Sequence, residues 1–92
     1  MLKGIGKRIK ELRDERDISM DMIVADMNTR YPFEKPLNKS MLSRWENDIN
    51  NPTLDAVKYL CDYFDVSVDY MLGITEVKTP VRHLREKRRD NK

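Results

Sequence analysis

One cysteine, Cys61, and one histidine, His83, are the only side chains of their kind in this chain. A single copy of each excludes an intramolecular disulfide and a Cys/His zinc cluster. Glycine is almost as scarce, three in 92 residues, and no glycine-rich loop that would cradle a phosphate can be traced. No nucleophile with a base beside it and no metal-ligand set appears, so the chain is not read as an enzyme and no cofactor is expected. No apolar run approaches the roughly 18 residues of a membrane span, and Met1-Leu2-Lys3-Gly4-Ile5-Gly6 lacks the apolar block of a signal peptide. The expectation is a cytoplasmic protein without membrane contact.

What the chain has is enough apolar material for one core, 39% of its residues, in a length that leaves no room for a second domain. Its charge is divided unevenly. Lys and Arg against Asp and Glu count 10 to 9 over residues 1–52, 2 to 5 over 53–79, and 6 to 2 over 80–92. The net of +2 thus sits in the tail, and overall charge makes no case for nucleic acid; local pattern has to.

Ile5, Ile9 and Leu12 recur at helical spacing and predict a scaffold helix from Gly4 to Arg16. Asp17-Ile18-Ser19 interrupts it, and Ser19 can cap a second helix with Ile23, Val24, Met27 and Tyr31 on one face. Tyr31-Pro32 should end that helix, and Pro36 delays the next until Asn38, so a loop within Asn28 to Leu37 carries Arg30 and Lys35. Asn38 can cap Lys39 to Asn47. There, at about 100° per residue, Met41, Leu42 and Trp45 share one side, Ser40, Ser43 and Asn47 the other, and Lys39 and Arg44 flank them.

After the turn Asp48-Ile49-Asn50-Asn51-Pro52, Thr53 can cap a fourth helix with an apolar stripe of Leu54, Val57, Leu60, Cys61 and Phe64. The place of Cys61 in that stripe points to packing. Ser67 can cap a short fifth helix that Gly73 stops. No strand signal and no internal repeat are present. The reading is an all-α, five-helix domain over residues 1–74. Residues 75–92 are then a linker and a basic tail, helical or disordered, attracted to DNA or to an acidic partner, or simply solubilising.

Short polar side chains on one face of the third helix would let it approach base-pair edges, while Lys39 and Arg44 can reach guanine or phosphate. The order of pieces resembles the helix-turn-helix domain of phage repressors and Cro proteins, the XRE family. The matching stretches are Ile5 to Arg13, Ile18-Ser19, Leu42-Ser43-Arg44-Trp45-Glu46-Asn47, Asn51-Pro52-Thr53-Leu54, and Phe64 to Gly73. The resemblance implies a compact lambda-repressor-like bundle in which helices two and three bind double-stranded DNA and the third enters the major groove. It places base contacts on Lys39, Ser40 and Arg44, with Ser43 beside them. Phosphate contacts fall on Ser19, Met20 and Asn47, to which the loop adds Arg30 and Lys35. It also pairs Glu46 with Arg13, a structural brace behind Leu42 and Trp45.

The chain departs from the family pattern at Met20, where glutamine is common, in a longer turn before the third helix, and in an uncharged-to-acidic turn after it. Fewer phosphate contacts and a shallower salt dependence follow. The function expected is a transcriptional regulator of the repressor kind, a homodimer on a palindromic operator. The alternative is an antitoxin or other protein-interaction module built on the same bundle, meeting its partner through the tail or the fifth helix. Helices four and five offer more apolar groups than one small core needs, so Tyr59, Tyr63, Val68, Tyr70 and Met71 are candidates for a dimer surface, although some of them must be core.

Overall fold

The computed structural model describes residues 4–80, and among these it is all-helical. Five helices follow in order: α1 Ile5–Glu15, α2 Met20–Arg30, α3 Lys39–Glu46, α4 Leu54–Phe64 and α5 Val68–Met71. Every N-cap after the first is a side chain that local chemistry favours. Ser19, Asn38, Thr53 and Ser67 each accept a hydrogen bond from the backbone N–H three residues on, which satisfies one of the donors a first turn leaves open. α1 instead begins at Gly4 in the left-handed region, with no side-chain cap.

Helix ends repeat one device. Asp17, Asp48, Asp65 and Gly73 take positive φ of 56°, 57°, 54° and 79°. The next residue, always Ile or Val, donates its N–H to the carbonyl five positions back: Ile18 to Arg13, Ile49 to Arg44, Val66 to Cys61 and Ile74 to Asp69, at 2.8–3.0 Å. This is the Schellman closure, with aspartate at three of the four places where glycine is the common choice. Asp17-Ile18-Ser19 and Asp65-Val66-Ser67 are therefore one connector used twice: a left-handed stop, an apolar residue and the cap of the next helix. α2 ends differently, at Tyr31 in extended conformation, because the following proline disfavours the helical region.

The core draws on every helix, with Ile5, Ile9, Leu12, Ile23, Met27, Leu42, Trp45, Val57, Leu60, Phe64 and Met71 among its buried side chains. α3 packs on both α1 and α2, while α4 joins α2 to α5. Cys61 is buried, and burial pushes its thiol up to about 11. Two expectations are corrected here. Leu54 is 83% exposed and not part of the α4 stripe: as the first helical residue it lies about 70° round from the centre of Val57, Leu60, Cys61 and Phe64. Tyr70 and Met71 are buried and are not available to a dimer surface. Of the other candidates for that surface, Tyr59 and Tyr63 are half-buried and Val68 is exposed.

Residues 75–78 turn back along the bundle. Ser67 N–H donates to Lys78 O at 2.7 Å and Ser67 Oγ to Val77 O at 3.0 Å. Glu76 meets Arg8 at 3.2 Å, and Lys78 meets Glu15 at 3.4 Å. Both cations approach Tyr70, with Arg8 4.2 Å and Lys78 5.5 Å from its ring centre. The basic tail expected over residues 81–92 lies outside the described residues. No helix among the described residues is long and apolar enough to cross a membrane.

Candidate nucleic-acid interface

α3 is presented by three supports, each from a different part of the chain. From α1, Arg13 reaches across and forks onto Glu46, with Nε 2.9 Å from Oε2 and Nη2 3.0 Å from Oε1. Its Nη1 donates to Ile18 O at 3.0 Å, so one guanidinium ties α1 and the α1–α2 connector to α3. A planar donor fork matches a carboxylate with two parallel bonds, which fixes orientation as well as distance. Hydrogen bonding to Glu46 raises the Arg13 pKa further, and the Glu46 side chain is 2% exposed.

Gly6 provides the second support by having no side chain. A Cβ there would run into the Trp45 carbonyl and stand 2.9 Å from both Glu46 O and Asp48 Oδ1. α1 therefore crosses the last turn of α3 at a distance only glycine permits. The third is Asn28, whose Oδ1 accepts from Leu37 N–H at 2.8 Å while its Nδ2 donates to Leu37 O at 2.9 Å. This reciprocal pair closes the long turn before α3 and seats Leu37 in the core. The aromatic residues of the turn pack outward onto α4: Tyr31 stacks on Tyr59 at 4.7 Å, and Phe33 meets the same ring edge-on at 5.1 Å.

With the helix so held, its residues separate. Leu42, Trp45 and Glu46 are buried, Met41 and Ser43 half-buried, and Lys39, Ser40, Arg44 and Asn47 exposed. The exposed groups are not loose. Arg44 Nη2 donates to Ser40 Oγ at 2.9 Å, and Asn47 Nδ2 donates to Ser43 O at 2.8 Å. Lys39 Nζ lies 3.8 Å from Asp21 Oδ2, on the first turn of α2. The result is a row of donors and acceptors spaced by helical turns above an apolar underside.

The remaining candidates lie around this row unequally. Ser19 is exposed and uses its oxygen to cap Met22 N–H at 3.1 Å, keeping its own proton to donate. Met20 packs its side chain against the core, so a phosphate at the start of α2 would meet its backbone amide, where helix N–H groups point outward. Lys35 is exposed in the turn before α3, whereas Arg30, expected on that loop, is instead the last residue of α2, because the helix runs on until the residue before Pro32, with its guanidinium 5.0 Å from the Tyr63 ring centre. Sequence reasoning missed Asn28 and Gly6. The first has no local pattern, and the second's signal is only a glycine placed mid-turn in a helix it should weaken. Among the described residues no group of His, Cys, Asp and Glu could hold a metal ion. A concavity of about 630 Å³ between α4 and residues 75–80 contains no residue of α3.

Comparison with known proteins bears on the same segment. Residues 37–71, which begin at Leu37 and end at the close of α5, match a family model described as helix-turn-helix. An HTH-type transcriptional regulator, ImmR, of Bacillus subtilis (strain 168) is 30% identical over 74 residues, which is 80% of this chain and 52% of that protein. A second protein of that organism, YobD, described as an uncharacterized HTH-type transcriptional regulator, is 28% identical over 74 residues, 80% of this chain and 59% of its own. The chain spans between about half and three-fifths of the length of these curated relatives. No solved structure gives a significant match.

Proposed function

Since this chain carries a helix-turn-helix of the XRE type, we propose that it is a DNA-binding transcriptional regulator. It acts as a repressor in the cytoplasm, as a homodimer on a palindromic operator. α3 lies in the major groove, with Lys39, Ser40, Ser43 and Arg44 toward base edges. Ser19, the Met20 amide, Arg30, Lys35 and Asn47 face the phosphates. The observation that carries this reading is the two-sided make-up of α3: Leu42 and Trp45 buried beneath, Ser40 and Arg44 exposed above. The regulators to which the chain is similar support the regulatory part.

Two-fold symmetry enters by arithmetic. An eight-residue helix is about 12 Å long and touches only a few base pairs, too few to stand out from a genome unless two half-sites are read together. Their centres are about 34 Å apart, one turn of the duplex, so both reading helices meet the same face. Selection of bound sequences from random duplex DNA by the full chain tests the whole proposal. A palindromic consensus with that spacing is expected; no enriched sequence contradicts sequence-specific binding, and an enriched single half-site contradicts the dimer.

A further inference from the structure

The described residues hold 11 Lys and Arg against 14 Asp and Glu, a net of −3. A domain that binds a polyanion with that balance has little general attraction to draw on, so the state of each cation on the binding face matters. Arg44 is hydrogen-bonded to a neutral partner, Ser40, and keeps its whole charge available. Lys39 does not: its ammonium lies 3.8 Å from the carboxylate of Asp21. Both side chains are largely exposed, 62% and 80%. The pair is therefore not a fold-building contact, since exposed ion pairs of this kind contribute little to stability.

We propose that Asp21 is a specificity-determining residue that keeps Lys39 off the DNA backbone, so that Lys39 adds to binding only when a base edge is there to receive it. This rests on the DNA-reading role proposed for α3. A phosphate contact at physiological salt is screened and is worth about as much as the exposed pair it would replace, so on random DNA Lys39 gains nothing by leaving Asp21. A base-edge contact in the groove discriminates by roughly 10- to 100-fold, more than the few-fold hold of an exposed carboxylate. The cognate site therefore releases Lys39 and a random site does not. Asp21 turns one cation from a general DNA anchor into a reader.

The test uses five proteins, each the whole 92-residue chain: wild type, Asp21→Asn, Lys39→Ala, the double variant and the control Asp55→Asn. Each is titrated onto a random-sequence duplex and onto the duplex recovered by selection, across a salt series. On random DNA, Lys39→Ala in the wild-type background should change affinity less than twofold. Asp21→Asn should bind about two- to fivefold more tightly, with a log–log salt slope steeper by about one, and adding Lys39→Ala should remove both gains. Asp55→Asn, the same charge change on α4, should leave random-DNA affinity within twofold of wild type. Thermal melts of Asp21→Asn and Asp55→Asn should fall by only a few degrees and by similar amounts, since each loses one acid from the first turn of its helix.

The proposal is overturned if Lys39→Ala alone already weakens random-DNA binding severalfold. It is equally overturned if the gain in Asp21→Asn survives the loss of Lys39, or if Asp55→Asn reproduces it. These outcomes are distinct from failure of the DNA-reading role, in which the wild type shows no preference between the two duplexes at all.

Discussion

Arg13 on α1 and Glu46 at the end of α3, 33 positions apart in the chain, meet through two parallel hydrogen bonds of 2.9 and 3.0 Å. One end of the pair is buried outright: the Glu46 side chain is 2% exposed and that of Arg13 11%. The fork therefore acts as a strut behind α3, on the opposite side from Ser40 and Arg44.

Removing one charge from a pair this enclosed leaves the other without its counter-ion. Glu46→Gln keeps the shape but loses the carboxylate, and should cost on the order of 2 kcal/mol or more. For a domain of this size that is a fall of roughly 10 °C in melting temperature. The expected result in a thermal melt followed by circular dichroism is that loss, with sequence preference on DNA retained by the protein that remains folded. Weakened operator binding at unchanged Tm would contradict the assignment.

Gly6 offers a case where two effects oppose. Alanine is the better helix former by about 1 kcal/mol, but here its methyl would have to displace the Trp45 carbonyl, which is backbone and cannot swing away. Overpacking against a fixed group costs about 1–3 kcal/mol, so Gly6→Ala should be destabilising in urea unfolding despite its helix propensity. A gain in the urea midpoint would show that α1 and α3 can separate without cost.

On DNA the exposed residues of α3 should divide from those around it. Arg44→Ala is expected to cost about 1–3 kcal/mol on the selected duplex and to relax the preference at one position per half-site. Arg30→Ala and Lys35→Ala should weaken selected and random duplexes alike and flatten the salt dependence. Equal loss on both duplexes for Arg44→Ala would remove it from the base readers.

Stability should be level in neutral solution and fall at alkaline pH. Burial pushes the Cys61 thiol from 9.0 up to about 11. Burial, and then hydrogen bonds to carboxylates, lift Tyr63 beside Asp26 and Tyr31 beside Asp62 from 10.0 to about 12. All three shifts favour the protonated form in the folded state, so their contribution is complete below the unfolded values. It drains away as pH rises, between about 9 and 11 for the thiol and 10 and 12 for the phenols. Urea midpoints from pH 7 to 11.5 should show a plateau and then a decline, and the decline above pH 10 should be shallower in Tyr63→Phe. An unchanged slope in that variant would mean that the Tyr63 phenol, 2.6 Å from Asp26, does not couple to folding.

How much of this was legible beforehand follows from the range of each interaction. Ser19, Asn38, Thr53 and Ser67 cap helices through bonds to residues three positions away, and the apolar stripes of α1 and α2 repeat within a turn or two. A linear reading therefore recovers the helices, their starts, and the division of α3 into Leu42 and Trp45 on one side and Ser40 and Arg44 on the other. Leu54 shows where that reading stops: periodicity puts it near the stripe, but only the position of the neighbouring helices decides whether anything covers the end of α4. The reciprocal bonds of Asn28 and Leu37, the close crossing at Gly6, the return of residues 75–78 onto α1 and the pairing of Lys39 with Asp21 leave no periodic trace.

Local hydrogen bonding and side-chain periodicity are written into consecutive residues, and by themselves they determined five helices and a polar face. Which of those groups are braced, crowded or neutralised depends on partners brought together by packing from distant parts of the chain. That was decided only by the tertiary structure, because an approach of a few ångströms between α1 and α3 is a property of the assembled core and of no single segment.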